Sequence, residues 1–358
     1  MENYNDEFYM KIALEEALKG TGKASPNPLV GAVIVSGGKI LGKGFHEQYG
    51  ENHAEVNAIE DAIKNGHNIK GSTIYATLEP CSHYGNTPPC VDAIIKASIS
   101  RVVIASRDPN PLVKGNEFLR KNGILVTEGI LEEEANKINE VFFHYIKRKT
   151  PFIAMKFGMT LDGKIATKTG DSKYISGESA LRHVHIARNK YSSIMVGVNT
   201  VVADNPHLTC RIEGSRDPKR IIMDTNLKTP INSNIVREGT IIITQSEATK
   251  PFEEKGVEII KANTKNIEEV LTKIGEKGID SILLEGGATL NYSFIKSGFV
   301  NKVSAYISPK IFGGKEAFTP IAGEGISKIV EAFNLENLTT QKIGEDILIE
   351  GYYVHRNN

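Results

Sequence analysis

The first half of the chain alternates between helical and strand patterns of hydrophobic residues. Apolar residues at helical spacing follow Asp6, which is predicted to cap this helix. Its predicted apolar face carries Phe8, Ile12, Leu14 and Leu18. Residues 29–35 and 39–45 are apolar runs on either side of a Gly-Gly turn, which is typical of a β-hairpin. The other predicted elements are a helix over 53–66, a strand over 72–79, a helix over 88–97, a strand over 101–106 and a helix over 132–149.

The hydrophobic pattern restarts after the basic end of the predicted helix 132–149, where Thr150-Pro151 follows. We place a domain boundary there, which gives domains of residues 1–147 and 148–358. Short apolar strands separated by helical segments indicate a second, mostly parallel sheet. These strands are predicted at 151–158, 192–198, 220–224, 240–244, 257–261, 281–285 and 302–308, with a helix near 178–191. Both domains are therefore predicted to be α/β.

Composition narrows the class of protein. The 358 residues include 43 Lys+Arg and 43 Asp+Glu, and this balance argues against binding of bulk nucleic acid or an anionic membrane. The first twenty residues are acidic and lack the apolar core of a signal peptide, and no apolar run is long enough to span a membrane. Three cysteines do not form a disulfide framework. The sequence therefore predicts a soluble cytoplasmic protein.

One set of residues matches the zinc-deaminase signature, in which His-x-Glu is followed by Pro-Cys and a second Cys. His53 and Glu55 precede Pro80-Cys81, and Cys90 follows Pro89. One imidazole and two thiolates leave the fourth position of a tetrahedral zinc ion open for a water molecule. Glu55 is then a base beside the ion and not a ligand.

The spacing of this motif makes two structural demands. Residues two apart in a helix point about 200° away from each other, so His53 and Glu55 converge only if His53 lies at the entry of its helix. Eight residues, SHYGNTPP, separate the two cysteines where the general motif has two. An insert of that length is predicted to line a substrate pocket.

Two plainer interpretations compete with a catalytic site. His46 or His83 would complete a closed structural zinc site, or the cysteines would be small buried hydrophobes. Neither interpretation requires an acid at the position of Glu55.

The second half has a weaker signal for a phosphate-bearing cofactor. No G-x-G-x-x-G follows a strand, and Gly158 to Lys164 imitates a P-loop without the Ser/Thr that binds magnesium. Glu285-Gly286-Gly287 lies between a predicted strand and a predicted helix, where glycines and free helix N–H groups favour a pyrophosphate. Glycine pairs also serve ordinary turns, so this signal alone is weak.

Longer motifs resemble one family, the bacterial bifunctional riboflavin-biosynthesis deaminase–reductases. They are SPNPLVGAV (25–33), TLEPCSHYGNTPPC (77–90), RDPNPLVKG (107–115), TLDGKIAT (160–167), GVNTVVADNPHLT (197–209) and LLEGGATL (283–290). The resemblance implies a cytidine-deaminase-like α/β/α domain followed by a dihydrofolate-reductase-like α/β domain. It also implies deamination of a diaminopyrimidinone ribosylamino 5′-phosphate, then reduction of its ribose chain by NADPH. A homo-oligomer is expected.

The resemblance also implies site residues. The zinc ligands are His53, Cys81 and Cys90, Glu55 is the proton shuttle, and Asn27 and His46 lie near the pyrimidine. NADPH contacts are expected from Gly158, Tyr174, Thr200, Asp204, Thr225, Gly287, Ala288, Thr289, Leu290, Asn291, Tyr292 and Ser293. Contacts to the reductase substrate are expected from Ser172, Arg188, Leu208, Arg211 and Glu285.

Several points stay open at the level of the sequence. Asn86 stands where relatives usually have a Lys or Arg that could hold the substrate phosphate, and Tyr174 stands where many have Trp. The proton donor of the reduction is Lys156, Asp204 or Glu285. One rival hypothesis is a nucleoside or tRNA deaminase with a nucleotide-binding C-terminal domain, and another is a structural zinc protein with a nucleotide-sensing domain.

Overall fold

The chain divides into two units, one ending at Arg148 and the other beginning at Lys149. The structure is a computed structural model, and it describes residues 5–85 and 87–354. Asn86, singled out above, lies outside the described residues.

The first unit is a five-stranded sheet with helices on both faces. Strand order is β2-β1-β3-β4-β5; β1 is antiparallel to both neighbours, and β3, β4 and β5 are parallel. One face packs against α1 and α5, and the other against α2, α3 and α4. The elements are α1 (Asp6–Leu18), β1 (Gly31–Ser36), β2 (Lys39–Phe45), α2 (Ala54–Lys64), β3 (Thr73–Leu78), α3 (Cys90–Lys96), β4 (Arg101–Ser106), α4 (Gly115–Lys121), β5 (Leu125–Thr127), α5 (Glu132–Ile138) and α6 (Glu140–Arg148).

The start and the buried face of α1 differ from the prediction. Asn5, not Asp6, caps the helix, since its side chain accepts the N–H of Phe8. Asp6 instead pairs with Arg101 of β4 at 2.7 Å and accepts a hydrogen bond from Tyr75. The buried face is Tyr9, Met10, Ala13, Leu14 and Ala17, whereas Phe8 and Leu18 are exposed. The short alanine side chains let the helix lie close to the sheet. This close packing decides which face of the helix is buried, even though the apolar side chains of the predicted face are larger.

The predicted hairpin is confirmed, and it positions α2. Gly37 and Gly38 make the turn with positive φ angles. In β2, Gly42 and Gly44 face the backbone of α2 so closely that a Cβ on either would clash with Ala58. The absence of side chains here allows α2 to lie directly on the sheet, and this fixes where the helix begins.

The predicted helix over 132–149 is wrong in one respect, because it is two helices that break at Asn139. Asn139 is 3% exposed. Its side chain accepts the N–H of Leu29 at 2.8 Å and donates to the carbonyl of Leu29 at 2.9 Å. The side chain of Asn139 thus satisfies the backbone N–H and carbonyl groups of a distant segment. Asparagine also has a low helix propensity.

The second unit is built on a nine-stranded sheet in the order β10-β9-β8-β7-β11-β6-β12-β14-β13. The seven strands from β10 to β12 are parallel, as predicted, and the last two complete an antiparallel edge that the prediction missed. The elements are β6 (Phe152–Thr160), α7 (Glu178–Lys190), β7 (Ser193–Gly197), α8 (Val198–Asp204), β8 (Lys219–Met223), β9 (Thr240–Thr244), α9 (Lys250–Glu253), β10 (Glu258–Lys261), α10 (Ile267–Glu276), β11 (Ser281–Leu284), α11 (Ala288–Lys296), β12 (Lys302–Ser308), a 3₁₀ turn (Ile329–Glu331), β13 (Leu335–Ile343) and β14 (Asp346–Tyr353). Among the described residues, no helix has the length and apolar character needed to cross a membrane.

Candidate metal centre and cofactor cleft

Three residues from separate elements form a compact group in the first unit. His53 is the residue before α2, Cys81 follows the end of β3, and Cys90 is the first residue of α3. His53 Nδ1 lies 3.2 Å from Cys90 Sγ and 3.5 Å from Cys81 Sγ. The parallel strands and their helix starts bring these side chains to one edge of the sheet, where ligand sites of α/β folds lie.

This group fits a zinc ion. Zinc bonds of about 2.3 Å to sulfur and 2.0 Å to nitrogen place tetrahedral ligand atoms roughly 3.5–3.8 Å apart. The nitrogen–sulfur distances are close to that range, and the three ligand atoms all lie within 4.8 Å of one another. Within residues 5–85 and 87–354, no further His, Cys or carboxylate belongs to the group. The donor set is therefore that of a site with one open position.

The protonation of the two cysteines also suits a cation. The hydrogen bond between the two side chains lowers the pKa of Cys81 to about 4 and, together with burial, raises that of Cys90. The backbone N–H of Cys90 donates to Cys81 Sγ at 3.2 Å. A divalent ion favours the deprotonated form of both cysteines.

Glu55 lies beside this group on the first turn of α2 and is 3% exposed. Burial raises the pKa of its carboxyl group above the ordinary range. His53 has extended backbone angles (φ −76°, ψ 163°), so it is at the helix entry as predicted, and both side chains line the same cavity. A buried carboxyl of raised pKa can both accept and release a proton near neutral pH.

His46 and Asn27 form a hydrogen-bonded pair in the same cavity. Asn27 Nδ2 lies 3.0 Å from His46 Nε2, and His46 Nδ1 lies 3.0 Å from the carbonyl of Asn52. The carbonyl requires a donor at Nδ1, so Nε2 accepts from Asn27 and the ring is neutral. Burial lowers the pKa of His46 accordingly. Both ring nitrogens are thus engaged, which argues against the closed zinc site with His46 as fourth ligand.

The cavity around these residues has a volume of about 350 Å³. Residues of the eight-residue insert line it, namely His83, Gly85 and Thr87, as the sequence predicted. Asp108 lines it too, and burial raises the pKa of this carboxyl to about 6. Asp108 belongs to the RDPNPLVKG motif, and no role was predicted for it from the sequence.

A larger cleft of about 1250 Å³ lies in the second unit, along the carboxyl ends of its parallel strands. β11 ends at Leu284 and α11 begins at Ala288, so Gly286 and Gly287 form the predicted strand–helix turn. A Cβ on Gly286 would lie 2.8 Å from Asn291 Oδ1, so the turn has little room for a side chain. The cleft and the free N–H groups of α11 fit a long cofactor that carries a pyrophosphate.

A buried charged network lies at one end of this cleft. Arg188 binds Glu285 through two hydrogen bonds of 2.9 and 3.0 Å and donates to the carbonyl of Thr209. Lys156 Nζ is 4.0 Å from Glu285. Burial alone would raise the pKa of Glu285, but the charges of Arg188 and Lys156 outweigh it and lower the pKa to about 2. Burial lowers the pKa of Lys156.

The predicted contacts of the second unit fall into two groups. The residues that line the cleft are Gly158, Ser172, Thr200, Asp204, Thr225, Glu285, Gly287, Ala288, Thr289, Leu290 and Ser293. Those outside its lining are Tyr174, Arg188, Leu208, Arg211, Asn291 and Tyr292. Asn291 is fully buried and donates to the carbonyl of Pro320, and Tyr174 is 79% exposed. Sequence reasoning missed the lining stretch from Asn263 to Glu268, which carries no recognisable motif.

Comparisons with known proteins cover nearly the whole chain. The family model described as the RibD C-terminal domain matches residues 151–349, and that of the cytidine and deoxycytidylate deaminase zinc-binding region matches residues 3–106. The riboflavin biosynthesis protein RibD of Actinobacillus pleuropneumoniae is 47% identical over 355 residues, covering 96% of this chain and 94% of the relative. That of Aquifex aeolicus is 44% identical, covering 96% and 97%.

Solved structures that resemble this chain are of proteins of the same kind. The diaminohydroxyphosphoribosylaminopyrimidine deaminase/5-amino-6-(5-phosphoribosylamino)uracil reductase of Thermotoga maritima matches with a TM-score of 0.88 and 40% identity, covering 98% of this chain and 99% of that one. RibD of Acinetobacter baumannii matches with a TM-score of 0.90 and 32% identity, covering 98% and 99%. The predicted fold, a deaminase-like domain followed by a dihydrofolate-reductase-like domain, is confirmed. The alternative of a nucleoside or tRNA deaminase is not supported. The chain belongs to the RibD family of riboflavin biosynthesis, and it is a bifunctional enzyme that joins a zinc-dependent deaminase to an NADPH-dependent reductase.

Proposed function

We propose that residues 1–147 carry out the deamination and residues 148–358 the reduction. The two family models lie on opposite sides of this division, over residues 3–106 and 151–349, and the boundary between the two units, after Arg148, falls one residue away from it. Each part contains one of the two cavities described above. The single observation that carries the assignment is the zinc-fitting group of His53, Cys81 and Cys90, with a buried Glu55 beside it.

In the deaminase part, Glu55 moves the protons. Zinc, held by His53, Cys81 and Cys90, would supply a Lewis acid that makes water nucleophilic near neutral pH. Glu55 accepts a proton from the attacking water while the oxygen of that water bonds to the amidine carbon of the pyrimidinone. The carbon–nitrogen bond then breaks, and Glu55 delivers a proton to the departing amine, which leaves as ammonia.

The pyrimidine ring is held by neutral groups next to Glu55. The pairing of His46 with the Asn52 carbonyl and with Asn27 fixes the tautomer of the imidazole and orients the amide. These groups recognise ring nitrogens and oxygens by hydrogen bonds. They add no net charge to compete with the metal ion.

In the reductase part, NADPH would supply the hydride that reduces the opened sugar, and residues of the cleft hold the reactants. The turn at Gly286 and Gly287 accepts the pyrophosphate, and Thr200 and Thr225 lie further along the same cleft. Arg211 would bind the substrate phosphate through paired guanidinium donors, and Arg188, whose Nε and Nη2 donate to Glu285, would add its positive charge and its remaining N–H groups. Glu285 stays ionised, since its pKa is lowered to about 2, and it fixes Arg188 in place.

Lys156 is the proton donor of this half of the reaction. Of the three candidates, Glu285 holds no proton at neutral pH. Asp204 is exposed at the last residue of α8. Lys156 is half-buried beside Glu285, and burial lowers its pKa toward the range in which an ammonium group gives up a proton.

Membership of the family also bears on the cellular location and the oligomeric state of the enzyme. It acts on small phosphorylated pyrimidines in the cytoplasm, where thiol ligands such as Cys81 and Cys90 stay reduced. It assembles as a homo-oligomer, for which β13 at the sheet edge offers a long exposed strand.

An assay of both products in one reaction tests the proposed function. Zinc-loaded enzyme is given the diaminopyrimidinone ribosylamino 5′-phosphate and NADPH, and ammonia and NADPH are followed together. Ammonia is expected first, and NADPH oxidation only after deamination. NADPH oxidation that proceeds without ammonia release, or folded, zinc-loaded enzyme that yields neither signal, contradicts the proposal.

A further inference from the structure

We propose that Lys265, in the loop before α10, holds the 2′-phosphate of NADPH and so selects this cofactor over NADH. The inference rests on the proposed reductase function and adds a residue that determines its cofactor specificity. Lys265 is exposed and lines the cleft of the second unit.

The order of the strands fixes the direction in which the cofactor runs. The cleft follows the carboxyl ends of five parallel strands, β6, β11, β7, β8 and β10. These strands are neighbours in that order, except that β9 lies between β8 and β10. Strands lie about 4.8 Å apart, so the distance from β6 to β10 is roughly 24 Å. The cleft is therefore long enough for an extended dinucleotide. Different kinds of side chain line its two ends.

The reacting end is at β6 and β11. Lys156 and Gly158 are on β6, and Glu285 directly follows β11. The nicotinamide ring must lie here, because the substrate-binding network is here. With the pyrophosphate at the turn of Gly286 and Gly287, the adenosine half extends past β7 toward β8 and β10.

The adenosine end is where the loop from Asn263 to Asn266 meets Thr225, the second residue after β8. Thr225 and Thr264 are joined by a hydrogen bond of 2.6 Å between their hydroxyl groups. Asn263 Oδ1 accepts the N–H of Lys265 at 3.1 Å, which fixes the backbone of the loop. These contacts place the backbone of Lys265 next to the hydroxyl groups that line this end.

Charge distinguishes Lys265 from the other cations of the cleft. Three lysines line it, and two have carboxylate partners: Lys156 is 4.0 Å from Glu285, and Lys296 is 2.9 Å from Glu324. Lys265 has no ion pair with any carboxylate in the part of the chain that the structure describes. An ammonium group without an internal partner is available to a phosphate.

Glu268, on the first turn of α10, lines the same end of the cleft. A carboxylate there disfavours a phosphate and favours the free 2′-hydroxyl of NADH. Lys265 and Glu268 therefore act in opposite directions on the choice of cofactor. Their substitutions make a matched pair, because removing either charge is predicted to change the preference in the opposite sense.

Equilibrium binding of two nucleotide fragments tests this role without any catalytic turnover. Adenosine 2′,5′-bisphosphate carries the 2′-phosphate and AMP lacks it, so calorimetry with both measures recognition of that group alone. In Lys265→Ala, the affinity for the bisphosphate is expected to fall about 10- to 100-fold with that for AMP unchanged. Glu268→Gln should raise the bisphosphate affinity. Lys277→Ala, at the exposed far end of α10, is the control.

The outcomes separate the role of Lys265 from the function of the cleft. A preference for the bisphosphate that survives in Lys265→Ala, or an equal loss of both ligands, overturns the role of Lys265 only. Wild-type protein that binds neither nucleotide contradicts the cofactor assignment of the cleft itself. In steady-state assays, the ratio of the KM for NADPH to the KM for NADH should rise in Lys265→Ala.

Discussion

Cys90 donates its backbone N–H to the sulfur of Cys81 at 3.2 Å, while its own sulfur lies 3.2 Å from the imidazole of His53. The start of one short helix thus serves both cysteines of the metal centre. It contributes one of the three proposed ligands directly and stabilises negative charge on the other cysteine. The site is assembled from a helix entry, a strand end and a helix start, which explains why widely separated residues come together.

The first prediction concerns Arg188. Replacing it with Ala removes both hydrogen bonds to Glu285, and it should lower the rate of NADPH oxidation with deaminated substrate by about 100-fold or more. Ammonia release should not change, since the deaminase group lies in the other unit. Arg182→Ala, exposed on the same helix, is the control. Equal loss of both activities in a folded protein would argue against independent sites.

A second prediction follows from the low pKa of Glu285. The folded state holds this pKa at about 2, below its ordinary value of 4.5, so folding favours the ionised form. The resulting stabilisation, a few kcal/mol in order of magnitude, is fully present above about pH 4.5 and is lost as the pH falls toward 2. The protection factors of the β11 amides, which relate the measured hydrogen exchange to the intrinsic rate at the same pH, should therefore fall over this interval. In Glu285→Gln that fall should be much smaller, and an identical acid profile would contradict the pairing.

The third prediction concerns the break between α5 and α6. Asn139→Ala leaves the N–H and carbonyl of Leu29 without their partner, which should lower the free energy of unfolding of the first unit by about 1–3 kcal/mol. Denaturant unfolding followed by circular dichroism measures this. Asn65→Ala, an exposed position in the same unit, should have little effect. If both variants are equally stable, Asn139 does not hold the segment.

Sequence patterns predicted the parts of the fold that depend on alternation and on local turns. The hairpin around Gly37 and Gly38 and the parallel strands of both units, except the short β5, follow from those patterns. The position of His53 at a helix entry could also be inferred, because His-x-Glu converges nowhere else. These features are set by short stretches of chain, which is why a single sequence contains them.

The features that the sequence did not predict depend on contacts between distant segments. Asn139 ends a helix because it binds Leu29, more than a hundred residues away. Asp6 leaves the cap to Asn5 because Arg101 pairs with it. The antiparallel edge formed by β13 and β14 has few buried positions, so its hydrophobic pattern is faint. The loop that carries Lys265 becomes part of the cleft only through the strand order.

The substitution Glu55→Gln is the most direct test of proton transfer by Glu55 in deamination. Glutamine keeps the size and burial of the side chain but cannot accept and release a proton, so ammonia release should fall by about 100- to 10,000-fold. Zinc content, measured by atomic emission on the purified protein, should remain that of wild type, since Glu55 is not one of the three ligands. Glu60→Gln, exposed on the same helix, is the control. Unchanged ammonia release in zinc-loaded Glu55→Gln would contradict the central claim that Glu55 carries the proton in deamination.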